Sequence, residues 1–255
     1  MSFAKVIEAL SIPLNARVDK RVPKKKLMEQ SIPTPGDKKQ IQDGIDETIW
    51  IAALKPNNIS IPIFRDNVRE YLEIIILTTK LRETAKATRL IELIHRAIPY
   101  PVVLITEQRC TVSLSLSHKR WSLGEKDKIV IEDLRITAPF QPECPTAAEA
   151  AFLSSMALSG LPRRDLFLLY QGWLDRLAAL EASEITGVFK LPISIDRSSA
   201  LRENLDNHSR LEHDIIILRS LAEKETQISR RVELNLEIKQ REDEISTVLQ
   251  IIKLE

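Results

Sequence analysis

Residues Leu201 to Leu254 contain no proline and no glycine, and they are dense in charge. Apolar residues recur there at Leu201, Leu205, Leu211, Ile215, Leu218, Ile228, Val232, Ile245, Leu249 and Ile252. Steps of three, four and seven put these positions on or near one stripe of a helix. The pattern predicts one long, coiled-coil-like helix over about 199–253, capped by Ser198 or Ser199. At about 1.5 Å per residue, such a helix outgrows a small domain. Its stripe needs cover, either from another helix of the chain or from another protein. That need points to a scaffold or assembly subunit.

The rest of the chain reads differently. Residues 3–10 predict a short amphipathic helix. Ser31 to Gly36 predicts a rigid turn, and Asp37 is placed to cap a helix running to about Glu47. Ile49–Leu54 predicts a strand, as does Ile59–Ile63 after the Pro56-Asn57-Asn58 turn. Tyr71–Thr79 is β-branched and too apolar for an exposed edge, which marks a central strand. Glu83–Ala97 predicts a helix stopped by Pro99 and Pro101. Val102–Ile105 and the alternating Cys110–Leu116 form an expected hairpin with a turn at 106–109, and Ile129–Ile136 adds a strand. Pro139, Pro142 and Pro145 mark a linker. Beyond it Thr146 and Glu149 make a capping box, and Arg164–Ala182 predicts a second helix. The expected class is α+β. A mixed β-sheet domain over about 1–140 precedes a helical region over about 146–255.

Several chemistries lack their residues. The six glycines form no phosphate-binding loop, and the four histidines show no metal-ligand spacing. No nucleophile elbow or Cys–His signature is present, so no cofactor and no metal is expected. Cys110 and Cys144 predict reduced thiols, not a disulfide framework. No run reaches the roughly 18–20 apolar residues of a membrane span. Glu8 interrupts the only apolar stretch near residue 1, so a cytoplasmic protein with no membrane partner is expected.

Charge is balanced overall at +1 but uneven locally: residues 1–40 hold nine Lys or Arg against four acids. Lys20, Arg21, Lys24, Lys25 and Lys26 are candidate phosphate contacts, or else a solvated basic loop. Trp50 and Trp173 read as core. Trp121, beside Lys119 and Arg120, reads as part of a contact loop. A metal-dependent nuclease would need converging carboxylates; Asp66, Glu73 and Lys80 are the candidates, although the usual acid-x-Lys spacing is absent around Glu73. Within the last helix, Asn235 lies seven residues after Ile228. It is either a buried polar residue that sets helix register or part of a solvated face.

Several segments together resemble a known family. They are Pro23-Lys24-Lys25-Lys26, Ile49-Trp50 with Leu54-x-Pro56 and Ile59-x-Ile61, Glu73-Ile74, Ile98-Pro99-Tyr100-Pro101, and the stretch from Glu225 to Asn235. The chain is similar in them to bacterial and archaeal proteins known only as a domain of unknown function. It departs at Ala53, where lysine is usual, and at Ser60, where asparagine is usual. Members of that family are encoded beside a large helicase and a DNA methyltransferase in restriction-like antiviral clusters. The resemblance implies a non-catalytic accessory subunit of such a defence complex, docking the helicase or methyltransferase and contacting DNA. The docking residues would be Leu211, Ile215, Leu218, Ile228, Val232 and Asn235. The alternatives are a degenerate nuclease and a homodimer held by its last helices.

Overall fold

A computed structural model describes residues 3–30, 34–122, 124 and 129–254. The expected Ser31–Gly36 turn lies partly outside the described residues, as does part of the loop after Trp121. The chain divides into two compact units, Met1–Leu177 and Ala178–Glu255.

The first unit opens with α1 (Phe3–Ala9), β1 (Arg17–Arg21), α2 (Lys24–Gln30) and α3 (Pro35–Gly44). Thr34, not Asp37, caps α3. Its hydroxyl accepts from Asp37 N at 3.2 Å while the Asp37 carboxylate takes Thr34 N, a capping box displaced by three residues from the expected cap. The helix stops at Gly44, earlier than predicted. A Cβ there would meet Leu90 Cδ1 at 2.7 Å, so a larger residue would force the buried Leu90 side chain to shift. Then follow β2 (Ile45–Leu54), the single turn α4 (Pro56–Ile59), and a small ribbon of β3 (Phe64–Arg65) and β4 (Glu70–Tyr71). The predicted strand at 59–63 is absent. Lys55 and Asn58 fold the chain into the α4 turn, with Lys55 N donating to Asn58 Oδ1 at 2.8 Å.

β5 (Ile74–Leu81), α5 (Ala87–Ala97) and β6 (Val102–Gln108) form a β-α-β crossover with parallel strands. β7 (Thr111–Trp121) and β8 (Ile129–Ile136) complete a six-stranded sheet of order β1-β2-β5-β6-β7-β8, antiparallel except at β5–β6. The β6–β7 turn falls at Arg109, which takes φ 59°, while the expected turn residues 106–108 are paired strand. On one face, Ile75, Leu77, Val102 and Leu104 pack with Leu90, Ile91 and Ile94 of α5 and with Leu27 of α2. A charged brace supports that layer: Arg89 grips Asp37 through two hydrogen bonds of 2.9 and 2.8 Å. α6 (Ala147–Ser155) starts at the expected Thr146–Glu149 capping box. α7 (Leu166–Thr186) follows, and the division between the units falls inside it. Tyr170 of α7 donates its hydroxyl to Val102 O at 2.7 Å, and Trp173 is fully buried, as predicted for a core residue. The fold is α+β.

The second unit corrects the expectation of one long helix. It contains α8 (Ile195–Lys224) and α9 (Ile228–Leu254), folded back on each other as an antiparallel hairpin. Ser194 caps α8, ahead of the predicted Ser198 or Ser199. The break needs neither proline nor glycine. Glu225 is extended, and its carboxylate accepts from Gln227 N at 2.8 Å. Between Ala222 and Leu234 the apolar stripe thins to Ile228 and Val232, so little burial is lost by turning there. Much is gained, because Leu205 and Leu211 then pack with Val248 and Ile252, and Ile215 and Ala222 with Leu234 and Ile238. Arg219 and Glu242 tie the two helices at 2.7 Å.

Candidate functional site

The first unit carries a groove of about 400 Å³ on the α5 face of the sheet. Its floor follows from strand register. Lys20 lies opposite Trp50, and Trp50 opposite Leu77, across β1, β2 and β5. Directly opposed residues share a face, so these three side chains stand in a row, with Ile75 two residues along from Leu77. The bulge in β2 between Trp50 and Ala52 re-aims the indole. Its N–H donates to Ala52 O at 2.9 Å, which satisfies its one polar atom and leaves the ring half-exposed in the groove. α2 closes one side with Leu27. The exit of α5 closes another with Ala97, Ile98, Pro99 and Tyr100.

Lys20, Arg21 and Lys26 form the rim, and no described residue lining the groove is acidic. Arg21 pairs loosely with Glu47 at 3.5 Å. Lys20 and Lys26 are exposed and make no ion pair with a described residue. Lys24 and Lys25 are placed otherwise. Lys24 Nζ donates to Gln42 O at 2.8 Å, and Lys25 faces Glu29 at 3.8 Å on the solvent side of α2. Of the five cations expected to meet phosphate, the fold brings three to the groove. Trp50, expected in the core, is one of its walls.

Pro99 and Tyr100 also border a second depression of about 190 Å³, with Trp121, Arg120, Lys119 and Glu70 around it. Arg120 donates to Glu132 at 2.7 Å, and Glu70 pairs with Arg65. Lys119 is buried, and its ammonium donates to the backbone carbonyl of His95. Loss of water around that group pushes its pKa down to about 7. Deeper lies a polar chain in which the Tyr71 hydroxyl meets His118 Nδ1 and His118 Nε2 meets Gln171 at 2.8 Å, with Phe167 stacked on the imidazole. Burial raises the Tyr71 phenol well above its ordinary value. Each polar end of this chain is satisfied inside the protein, as expected for a braced interior.

The nuclease candidates do not converge. Asp66 caps its own turn, accepting from Val68 N and Arg69 N at 2.7 and 2.6 Å. Glu73 pairs with Lys55 at 3.2 Å, and Lys80 faces Glu107 at 3.9 Å. Glu73 and Lys80 sit at opposite ends of β5, about 23 Å apart at about 3.3 Å per residue. Among the described residues no group of His, Cys, Asp or Glu could hold a metal.

The hairpin splits the expected docking set. Leu211 and Ile215 are buried inside it and Leu218 packs against its core. Ile228 and Val232 are exposed, as is Asn235, which therefore does not set register from within. Leu236 extends Ile228 and Val232 into an exposed row at i, i+4, i+8 on α9.

The groove leaves no local mark in the sequence, because its walls come from segments about 25–80 residues apart that strand register brings together. One signal was present: Pro23, Lys26, Trp50, Ile98, Pro99 and Tyr100 all belong to segments that carry the family resemblance, and all line it. No helix among the described residues is long and apolar enough to cross a membrane. A search of curated proteins and a search of solved structures each find no match. A family model described as a domain of unknown function, DUF4391, matches residues 10–245.

Proposed function

This chain belongs to the DUF4391 family, and we propose that it is a non-catalytic accessory subunit of a cytoplasmic, restriction-like antiviral complex. In this reading it touches nucleic acid through its groove and docks a helicase or methyltransferase through α9. The observation that carries the reading is the convergence of Lys20, Arg21, Lys26, Trp50 and Tyr100 on one groove whose described lining holds no acid. Such a surface favours a polyanion and offers no reacting group. The Ile228–Val232–Leu236 row supports the docking part. It is the exposed apolar row of a charged helix, and a partner helix laid along it would bury it. The separation of Glu73 from Lys80 removes support from the nuclease alternative.

The test is affinity recovery of the chain from its native cell after nuclease treatment, read by mass spectrometry. A helicase or methyltransferase in stoichiometric amount is expected, and Ile228→Asp with Val232→Asp is expected to release it. Recovery of the chain alone would overturn the accessory role; sedimentation as a dimer that the same double variant dissociates would replace it with a homodimeric scaffold.

A further inference from the structure

We propose that the groove binds an unpaired nucleic-acid strand, with bases laid against Trp50 and Tyr100 and phosphates held by Lys20, Arg21 and Lys26. The proposal deepens the reading above and rests on its nucleic-acid part. The charge of the rim selects a polyanion, and Lys20 and Lys26 are exposed without an ion pair to any described residue. The floor then decides which polyanion. It is apolar, built from Val22, Leu27, Ile75, Leu77 and Ile98 around the two rings. A duplex presents phosphate and sugar outward and keeps its bases stacked on each other, so it would leave this floor wet and unmatched. A single strand carries both parts the groove asks for, a charged backbone and free aromatic faces.

Trp50 is suited to a face contact. Its N–H is already spent on Ala52 O, so what the groove receives is ring and not a hydrogen-bond donor. Stacking of this kind tolerates any base, since every base has a π-face. Tyr100 separates the groove from the second depression, where Trp121 and Arg120 are met next. Trp50, Tyr100 and Trp121 therefore succeed one another along a track whose exposed cations without an ion pair to any described residue lie at the Lys20–Lys26 end, Arg120 at the other end being held by Glu132. The strand is expected to run from the Lys20–Lys26 rim past Tyr100 toward Trp121.

The experiment measures binding of labelled oligothymidine, oligouridine and a blunt DNA duplex to the full chain by fluorescence anisotropy across a salt series. Tighter binding of the single strands than of the duplex is expected, and the two single strands separate DNA from RNA as the source. With three phosphates engaged, log Kd is expected to change with log salt at a slope of about 2 in magnitude, and Lys20→Ala or Lys26→Ala to lower it by about 0.7 each. Trp50→Ala is expected to weaken single-strand binding about tenfold, and Trp50→Phe to keep most of it. Because Trp50 is half-buried, the exposed pair Lys20→Glu with Lys26→Glu serves as a second variant; it is expected to lose binding while its melting temperature holds. Equal affinity for strand and duplex, with Trp50→Ala and Trp50→Phe indistinguishable, would overturn the proposal and leave only a surface phosphate contact. Absence of binding to any nucleic acid, or displacement of the strand by an acidic apolar peptide with higher affinity, would overturn it together with the nucleic-acid part of the proposed function.

Discussion

Leu77 and Leu211 are both almost fully buried, but by different kinds of neighbour. Leu77, on β5, packs in a cluster with Leu27 from α2, Leu90 and Ile94 from α5, and Leu104 from β6. Those partners lie on three separate elements. Leu211, on α8, belongs to a cluster built from helices alone, with Val248 and Ile252 of α9 and Ala178 and Ala182 of α7. A core assembled from distant segments leaves gaps of definite shape where the segments diverge, and the groove beside Trp50 is such a gap. A core made by folding one stripe on another leaves smaller gaps, about 280 Å³ beside Leu218 and Gln240 and about 240 Å³ beside Leu201 and Ile252, and neither described lining holds an aromatic ring. It also leaves the helix backs, where Ile228, Val232 and Leu236 stand in solvent. The two regions therefore offer different surfaces: a shaped, charged cleft in the first unit and an open apolar row in the second.

The largest effect is expected from Leu104→Ala, at a position with no exposure. Loss of its packing and the cavity left behind cost about 2–5 kcal/mol, read from urea unfolding. Ile238→Ala in the hairpin is expected to cost less, about 2 kcal/mol, because the site is 8% exposed and lies between only two helices that can close over the gap. A larger loss there than at Leu104 would reverse the contrast.

Lys119 gives an effect of similar size that depends on pH. The unfolded chain keeps this lysine protonated up to about 10.4, while the folded chain releases the proton near pH 7 because burial strips water from the ammonium. Between those values the unfolded state binds the extra proton, so this residue makes stability rise with pH by about 1.4 kcal/mol per unit. Between pH 7 and 9 the wild type is expected to gain about 2 kcal/mol relative to Lys119→Met. Parallel stability profiles for the two proteins would show that Lys119 is hydrated. The smallest effect is expected from Ile228→Ala with Val232→Ala, within about 0.5 kcal/mol in thermal unfolding, since neither side chain is buried. A clear loss of stability would show that α9 uses this row internally.

Much of the fold could be read from residue pattern. The apolar run on β5, the amphipathic α5 and the Thr146–Glu149 capping box each carry a local signal strong enough to stand alone. The start of β2 did not, because Asp46, Glu47 and Thr48 separate Ile45 from the apolar run that begins at Ile49. The break between α8 and α9 was hidden for a related reason. A charged stretch from Glu223 to Arg231 reads equally as a solvated helix or as a turn, and what decides is the stripe closing on itself. At the site, composition located Lys20, Arg21 and Lys26. It could not separate them from Lys24 and Lys25, whose partners are set by the approach of α3 and by helix spacing. Trp50 looked like core because a β-bulge leaves no mark in hydrophobic periodicity.

The most direct test of the groove as the functional surface is photo-crosslinking of the full chain to a single strand carrying 4-thiothymidine, followed by proteolysis and mass spectrometry. Adducts on Trp50 or Tyr100, with weaker ones on Trp121, are the result this account requires. Adducts confined to peptides outside the groove, such as those of α8 and α9, would contradict it.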